Sequence, residues 1–253
     1  MKFSANLGFL WTEHSLPDAI RAAKKAGFHA VECHWPYDTP TEEVNAALAE
    51  TGLAMLGLNT SRGDVEGGEN GLSALVGGED EAQAAIDQAI AYASAINTPN
   101  IHVMAGFASG NTAHQTFVEN LRYATTQAAE HDITILIEPL NHHDAPGYFL
   151  QTSAQAKTII EEVGADNLKL MFDCYHLQIM EGDISRRLAA LMPIIGHVQI
   201  ASVPDRAEPE SGELDYGYVF GVLEELGYEE PIGAEYKPRG GTDSGLGWFD
   251  SLR

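Results

Sequence analysis

The chain predicts an α/β fold, a single (β/α)8 TIM barrel that forms one domain over residues 1–253. Three observations predict it. Eight short β-rich runs alternate with amphipathic helical stretches. The turns leading into the runs are short while several loops leaving them are long. Oxygen-bearing side chains stand at the ends of the last four runs, about one βα unit apart.

The strands are expected at Lys2–Leu7, His29–Glu32, Ala54–Leu58, Asn100–Met104, Thr134–Ile137, Leu168–Phe172, His197–Ile200 and Ile232–Ala234, bounded mostly by Gly, Pro or Asn. Helices are expected between them at Pro17–Ala26, Pro40–Glu50, Glu79–Ala95, Ala113–Glu130, Ala154–Val163, Ile184–Leu191 and Tyr216–Leu226, with a short remnant at Leu246–Leu252. In Thr39-Pro40-Thr41-Glu42 a capping hydroxyl precedes Pro and a glutamate, which marks a helix start, and Asp183 is expected to cap Ile184–Leu191. Gly27, Gly52 and Gly227 fit the left-handed position that ends a helix. An open doubly wound sheet would require a glycine-rich phosphate turn after the first strand, and NLGFLWTEH is not one. The long loops, Asn59–Gly78, Ala105–Thr112, Pro139–Thr152 and Ala201–Asp215, then gather at the C-terminal face of the barrel, where functional residues belong.

Composition narrows the function. Lys+Arg 14 against Asp+Glu 37 gives a net charge of −23, which opposes nucleic acid and anionic membranes as partners. An acidic protein that binds an anion must gather cations or a metal at its site. Cys33 and Cys174 show no metal-ligand or redox spacing and are expected to be reduced thiols of a cytoplasmic protein. No run of about 18 apolar residues occurs. Trp11, Trp35 and Trp248 are expected at the surface, lining the site or a subunit contact, which leaves room for a homo-oligomer.

Glu138 follows ITILI, Asp173 follows LKLMF, Gln199 lies in HVQI and Glu235 follows PIGA, spaced 35, 26 and 36 residues apart. Three carboxylates crowded at neutral pH require either sharply raised pKa values or a cation between them. Together with an amide oxygen they form a hard donor set suited to Mg²⁺ or Mn²⁺. His176, Arg206 and Lys237 lie close by as candidate substrate-binding groups, with Arg206 best suited to grip a carboxylate and His176 equally open to a structural role. Asn6, Glu32, Asn59 and His102 end the first four strands and read as rim or core hydrogen-bonding residues. Met55, Met104 and Met171 read as core filling.

The segments EPLNHHDAPGYFL, FDCYHLQIMEGD, IGHVQIASVPDRAEPESGELDY and EYKPRGGTDSGLGWFD resemble the hydroxypyruvate isomerase family, and so do KAGFHAVECHWPYD and LNTSRGD. The resemblance runs over the whole chain. It implies a xylose-isomerase-like barrel in which Glu138 and Glu235 exchange protons with substrate, and a divalent metal, Mg²⁺ or Mn²⁺, is held by Glu138, Asp173, Gln199 and Glu235. The implied substrate is a small hydroxy-keto acid, isomerised through an enediolate. A multi-zinc DNA-repair hydrolase would require further histidine ligands, and VPDR after Gln199 supplies none.

Overall fold

The computed structural model describes residues 1–251, the side chains of Asp250 and Ser251 excepted, so Leu252 at the end of the expected last remnant lies outside the described residues. The strands are β1 (Phe3–Asn6), β2 (Ala30–Glu32), β3 (Gly57–Asn59), β4 (Asn100–His102), β5 (Thr134–Ile137), β6 (Leu168–Asp173), β7 (Ile195–Ile200) and β8 (Ile232–Ala234). All pair in parallel in the order β2-β1-β8-β7-β6-β5-β4-β3. The remaining seam is bridged between Val31 and Met55. There Leu56 N–H donates to Val31 O at 2.7 Å and Cys33 N–H to Gly57 O at 3.1 Å, so eight parallel strands form a nearly closed barrel.

The helices are α1 (Leu16–Ala26), α2 (Thr41–Thr51), α3 (Glu79–Ala95), α4 (Gly110–Ala129), α5 (Ser153–Val163), α6 (Cys174–Met180), α7 (Ile184–Leu191), α8 (Tyr216–Glu225) and α9 (Gly247–Ser251). Their apolar stripes, such as Ile86, Ala89 and Ala93 on α3 and Phe117, Leu121 and Ala124 on α4, are buried in one continuous core. Each such large side chain withdrawn from water contributes roughly 1.5–3 kcal/mol. Ser15 caps α1 by accepting from Asp18 N–H, and Gly27 ends it in the left-handed region at φ 94°. Gly52 and Gly227 also adopt positive φ, as expected. No helix among the described residues is long and apolar enough to cross a membrane.

Several expectations are corrected. Helix α2 starts at Thr41 with Pro40 at its cap, and no side chain caps it there. Asp183 adopts φ 53°, so its carboxylate turns to Arg186 at 3.3 Å and leaves α7 without a side-chain cap. Helix α6 was not expected. It begins directly at the end of β6, where Asp173 accepts from Tyr175 N–H at 2.8 Å. Trp11 and Trp248 are not at the surface: they are 2% and 1% exposed, packed with Phe3, Phe28 and Phe249 in an aromatic cluster that seats α9 against the barrel. Trp35 is the exposed member of the three, at 37%. Both cysteines are free and buried, and burial pushes their thiols up, so neither is a reactive thiolate.

Candidate active site

Strands β5 to β8 end side by side, and the register sets Asp173 on β6 directly against Gln199 on β7. Glu138 follows β5 by one residue and Glu235 follows β8 by one, so all four side chains reach the C-terminal end of the barrel. A cavity of about 130 Å³ opens there, lined in part by Phe9, His34, Trp35, Glu138, His176 and Glu235. Its size and half-apolar walls suit a small molecule.

Two of the carboxyls meet opposite fates. Glu138 is buried; burial first, then the nearby Glu235 and Asp173, raises its pKa well above the ordinary carboxylate range. Burial also acts on Glu235, but there Arg206 and His34 overcome it and hold the carboxyl at about 2. The contacts account for this. Arg206 Nη2 donates to Glu235 Oε2 at 2.8 Å, while Oε1 is met by His34 Nε2 at 2.8 Å and accepts from Asn6 Nδ2 at 3.0 Å. His34 reaches that position only because residue 8 is glycine, since a Cβ there would stand 2.1 Å from the imidazole.

Glu138 Oε1, Asp173 Oδ2 and His176 Nε2 form a third arrangement. These three atoms lie within 4.8 Å of one another and have no hydrogen-bond partner among the described residues. Asp173 spends its other oxygen on capping α6, and burial pushes its carboxyl up to about 7. His176 is held by Asn141, whose backbone N–H donates to Nδ1 at 3.0 Å. Burial drops its pKa well below normal, so the ring is neutral, and with Nδ1 accepting from Asn141 its one proton sits on Nε2, which points an N–H into the cluster. The two buried, unpartnered carboxyl oxygens that converge here fit a divalent cation, and the His176 N–H stands beside them as a donor.

The remaining expected residues are placed as follows. Gln199 donates its amide to Glu32 Oε2 at 3.5 Å, which leaves its Oε1 buried without a partner among the described residues. Arg206, at φ 53°, is anchored by its carbonyl accepting from Lys237 N–H. Its guanidinium spans Glu235, Asp144 at 3.2 Å and Asp173 at 3.8 Å, while its Nε–H has no partner among the described residues. Lys237 is exposed at the rim, its Nζ 5.6 Å from the centroid of the Phe9 ring. Arg239 turns away to Glu208 and Glu210.

Asn59 and His102 line the cavity, and burial lowers His102 to about 4, which keeps it neutral beside Glu138 Oε2 at 3.5 Å. Of the rim and core alternatives, Glu32 takes the core one. It is buried beneath the cavity, where His197 Nε2 lies 2.7 Å from its Oε2. Burial disfavours charge on His197, but Glu32 outweighs it and raises the pKa, which favours a charged imidazole against the carboxyl. Sequence reasoning missed His34 and Asp144. The signal for His34 was HWP beginning two residues after the end of β2; Asp144 sits inside a long loop, where spacing gives no register.

Residues 20–252 match the family model described as xylose isomerase-like TIM barrel. The chain is 45% identical over 98% of its length to the 2-oxo-tetronate isomerase of Cupriavidus necator, covering 97% of that protein. It is 40% identical to the hydroxypyruvate isomerase of Escherichia coli, with 100% of both chains covered. Among solved structures it matches the AP endonuclease, family 2 from Brucella melitensis with a TM-score of 0.96 and 41% identity, over 100% of this chain and 99% of that one.

Proposed function

The chain belongs to the xylose isomerase-like TIM barrel family, and from that premise we propose that it is an isomerase of a small hydroxy-keto acid. The reaction is a proton transfer between adjacent carbons through an enediolate, as in the interconversion of hydroxypyruvate and tartronate semialdehyde. The observation that carries this reading is the opposed bias of Glu138 and Glu235 on one cavity wall. Two carboxyls driven apart in pKa supply a base and an acid at the same pH. Glu235, ionised, takes the proton from the substrate carbon. Glu138, whose surroundings favour the protonated form, is the group that returns one. Microscopic reversibility exchanges these roles in the opposite direction.

Arg206 stays charged and lets three carboxylates share one wall, and its Nε–H is available to a substrate oxygen. Glu138 and Asp173 would hold a divalent ion, with Gln199 Oε1 adjacent on the neighbouring strand and the His176 Nε2–H beside them as a donor to a substrate oxygen. Such an ion supplies a Lewis acid that polarises the substrate carbonyl and stabilises the negative charge developing on oxygen. Glu138 divides its two oxygens between tasks: Oε1 faces the ion cluster and Oε2 faces His102.

A phosphodiesterase acting on DNA fits less well. The buried cluster among the described residues comprises Glu138, Asp173 and His176, which does not provide for several zinc ions, and the −23 charge repels the polymer.

The test is turnover of hydroxypyruvate, 2-oxotetronate and a ketohexose by purified protein with Mg²⁺, with Mn²⁺ and with chelator. Turnover of a keto acid that chelator suppresses supports the reading, and the preferred chain length names the substrate. Preference for the ketohexose shifts the assignment to a 3-epimerase using the same groups. Absence of metal-dependent turnover of all three overturns the isomerase reading.

A further inference from the structure

A hydroxy-keto acid carries a full negative charge, and the obvious cation for it is already engaged. Arg206 is committed to Glu235, Asp173 and Asp144. Arg239 is committed to Glu208 and Glu210. The same holds elsewhere: Arg21 pairs with Asp18 and Glu50, Arg186 with Asp183, Arg187 with Glu181, and Arg122 donates to the Glu162 carbonyl. Arg62 alone of the described arginines has no carboxylate or hydrogen-bond acceptor for its guanidinium. In a chain with 37 acidic residues, that is a specific omission.

Arg62 is nonetheless firmly placed. Its guanidinium carbon lies 4.2 Å from the centroid of the Trp35 ring, a stacking contact that leaves the in-plane N–H fork uncommitted. Trp35 lines the cavity and is itself fixed by donating from Nε1 to Thr60 O at 3.1 Å. The loop carrying Arg62 is tied down where Gly71 N–H donates to the Arg62 carbonyl at 2.9 Å, and its Asn59 and Asn70 also line the cavity. The side chain is half-buried, which strengthens any ion pair it makes.

We propose that Arg62, mounted on Trp35 at the cavity mouth, binds the carboxylate of the substrate and sets the preference for acids over neutral sugars. This rests on the keto-acid reading. The carboxylate end then sits on the β2–β3 side of the mouth, while the carbonyl and hydroxyl end faces Glu138 and Glu235 on the β5–β8 side. Arg62 acts on binding, not on the proton transfer.

The experiment compares wild type, Arg62→Gln and Arg62→Lys on hydroxypyruvate and on dihydroxyacetone, which replaces the carboxylate by a neutral hydroxymethyl group. Arg62→Gln is expected to raise KM for hydroxypyruvate roughly 10- to 100-fold, the loss of a charge-assisted hydrogen-bonded pair, while kcat stays within about twofold. Arg62→Lys recovers part of that loss. Turnover of dihydroxyacetone is unchanged in both variants. An unchanged KM for hydroxypyruvate, or an equal loss on both substrates, overturns the proposal. Should wild type turn over no keto acid, the functional reading fails by itself, and calorimetric binding of D-glycerate still decides the role of Arg62. Binding to wild type that weakens in Arg62→Gln supports it; equal binding, or none to wild type, overturns it.

Discussion

Glu32 ends β2 and Glu138 follows β5, and the two are buried alike, at 4% and 5% exposure, at the same end of one barrel. Their surroundings answer the charge in different ways. Glu32 is closed off by a histidine whose pKa it raises, and it sits over Gly233, where a Cβ would come within 2.2 Å of Glu32 Oε1 and 2.9 Å of His197 Nε2. Each glutamate leaves its Oε1 without a hydrogen-bond partner among the described residues, but Glu138 is met by two neutral histidines and other carboxyls, with no paired cation like His197. A charge that the fold needs is neutralised by the fold. A charge left for a proton, a cation or a substrate to neutralise belongs to chemistry.

The same substitution at the two positions separates these roles most sharply. Glu138→Gln, and likewise Glu235→Gln, is expected to lower kcat by about 10²–10⁴-fold, the range for a general acid or base, as measured by steady-state turnover. A variant retaining near-wild-type kcat would erase the distinction between the clusters. On stability the order reverses. Glu32→Gln strands His197 and is expected to cost about 3–5 kcal/mol in denaturant unfolding. Glu138→Gln replaces a carboxyl already disposed to be neutral, so the ion-free protein loses little or gains. Equal losses in both variants would refute the comparison.

The two clusters should also respond to pH with opposite sign. Asp173 holds a proton up to about pH 7 in the ion-free protein, so a divalent ion must displace it. Its affinity therefore falls as pH drops below 7, by up to about tenfold per pH unit per proton displaced. Calorimetry in buffers of different protonation enthalpy counts those protons. The His197 pKa is raised above 6.5 in the folded state. Its pairing with Glu32 is thus fully present below 6.5 and lost as pH rises through the raised value. Cation affinity that is indifferent to pH would show that Asp173 is not a ligand.

Two glycine substitutions give the smallest effects. Gly233→Ala crowds Glu32 and His197, and is expected to cost about 1–3 kcal/mol of stability, read by thermal unfolding. Gly8→Ala displaces His34 from Glu235 at the surface end of the site and is expected to change activity more than stability.

Much of this was legible from periodicity and strand ends. Glu138, Asp173, Gln199 and Glu235 were found because barrel geometry forces consecutive strand ends to be neighbours, a rule that needs no knowledge of side-chain direction. What escaped depended on direction. His176 was placed near the site, but only the α6 turn, begun by Asp173 itself, aims its Nε2 at the cluster. Arg206 was read as a carboxylate binder, and the structure shows how much of its charge the barrel's own acids absorb. Glu32 was left open between rim and core because nothing local reveals that His197, 165 positions away, closes over it. Trp11 and Trp248 looked exposed because the partner rings come from distant segments. The relatives include both a three-carbon and a four-carbon acid isomerase by name, at 40% and 45% identity, so sequence similarity does not choose between the two substrates.

The uneven burial of the tryptophans has an optical consequence. Trp11 and Trp248 are sealed in the core while Trp35 lies at the cavity mouth beneath a guanidinium. Fluorescence of the folded protein therefore combines a constant blue-shifted emission from the interior with a single indole whose surroundings change when the mouth fills. A ligand that enters the cavity becomes visible without a label, and a Trp35→Phe variant identifies the signal's source.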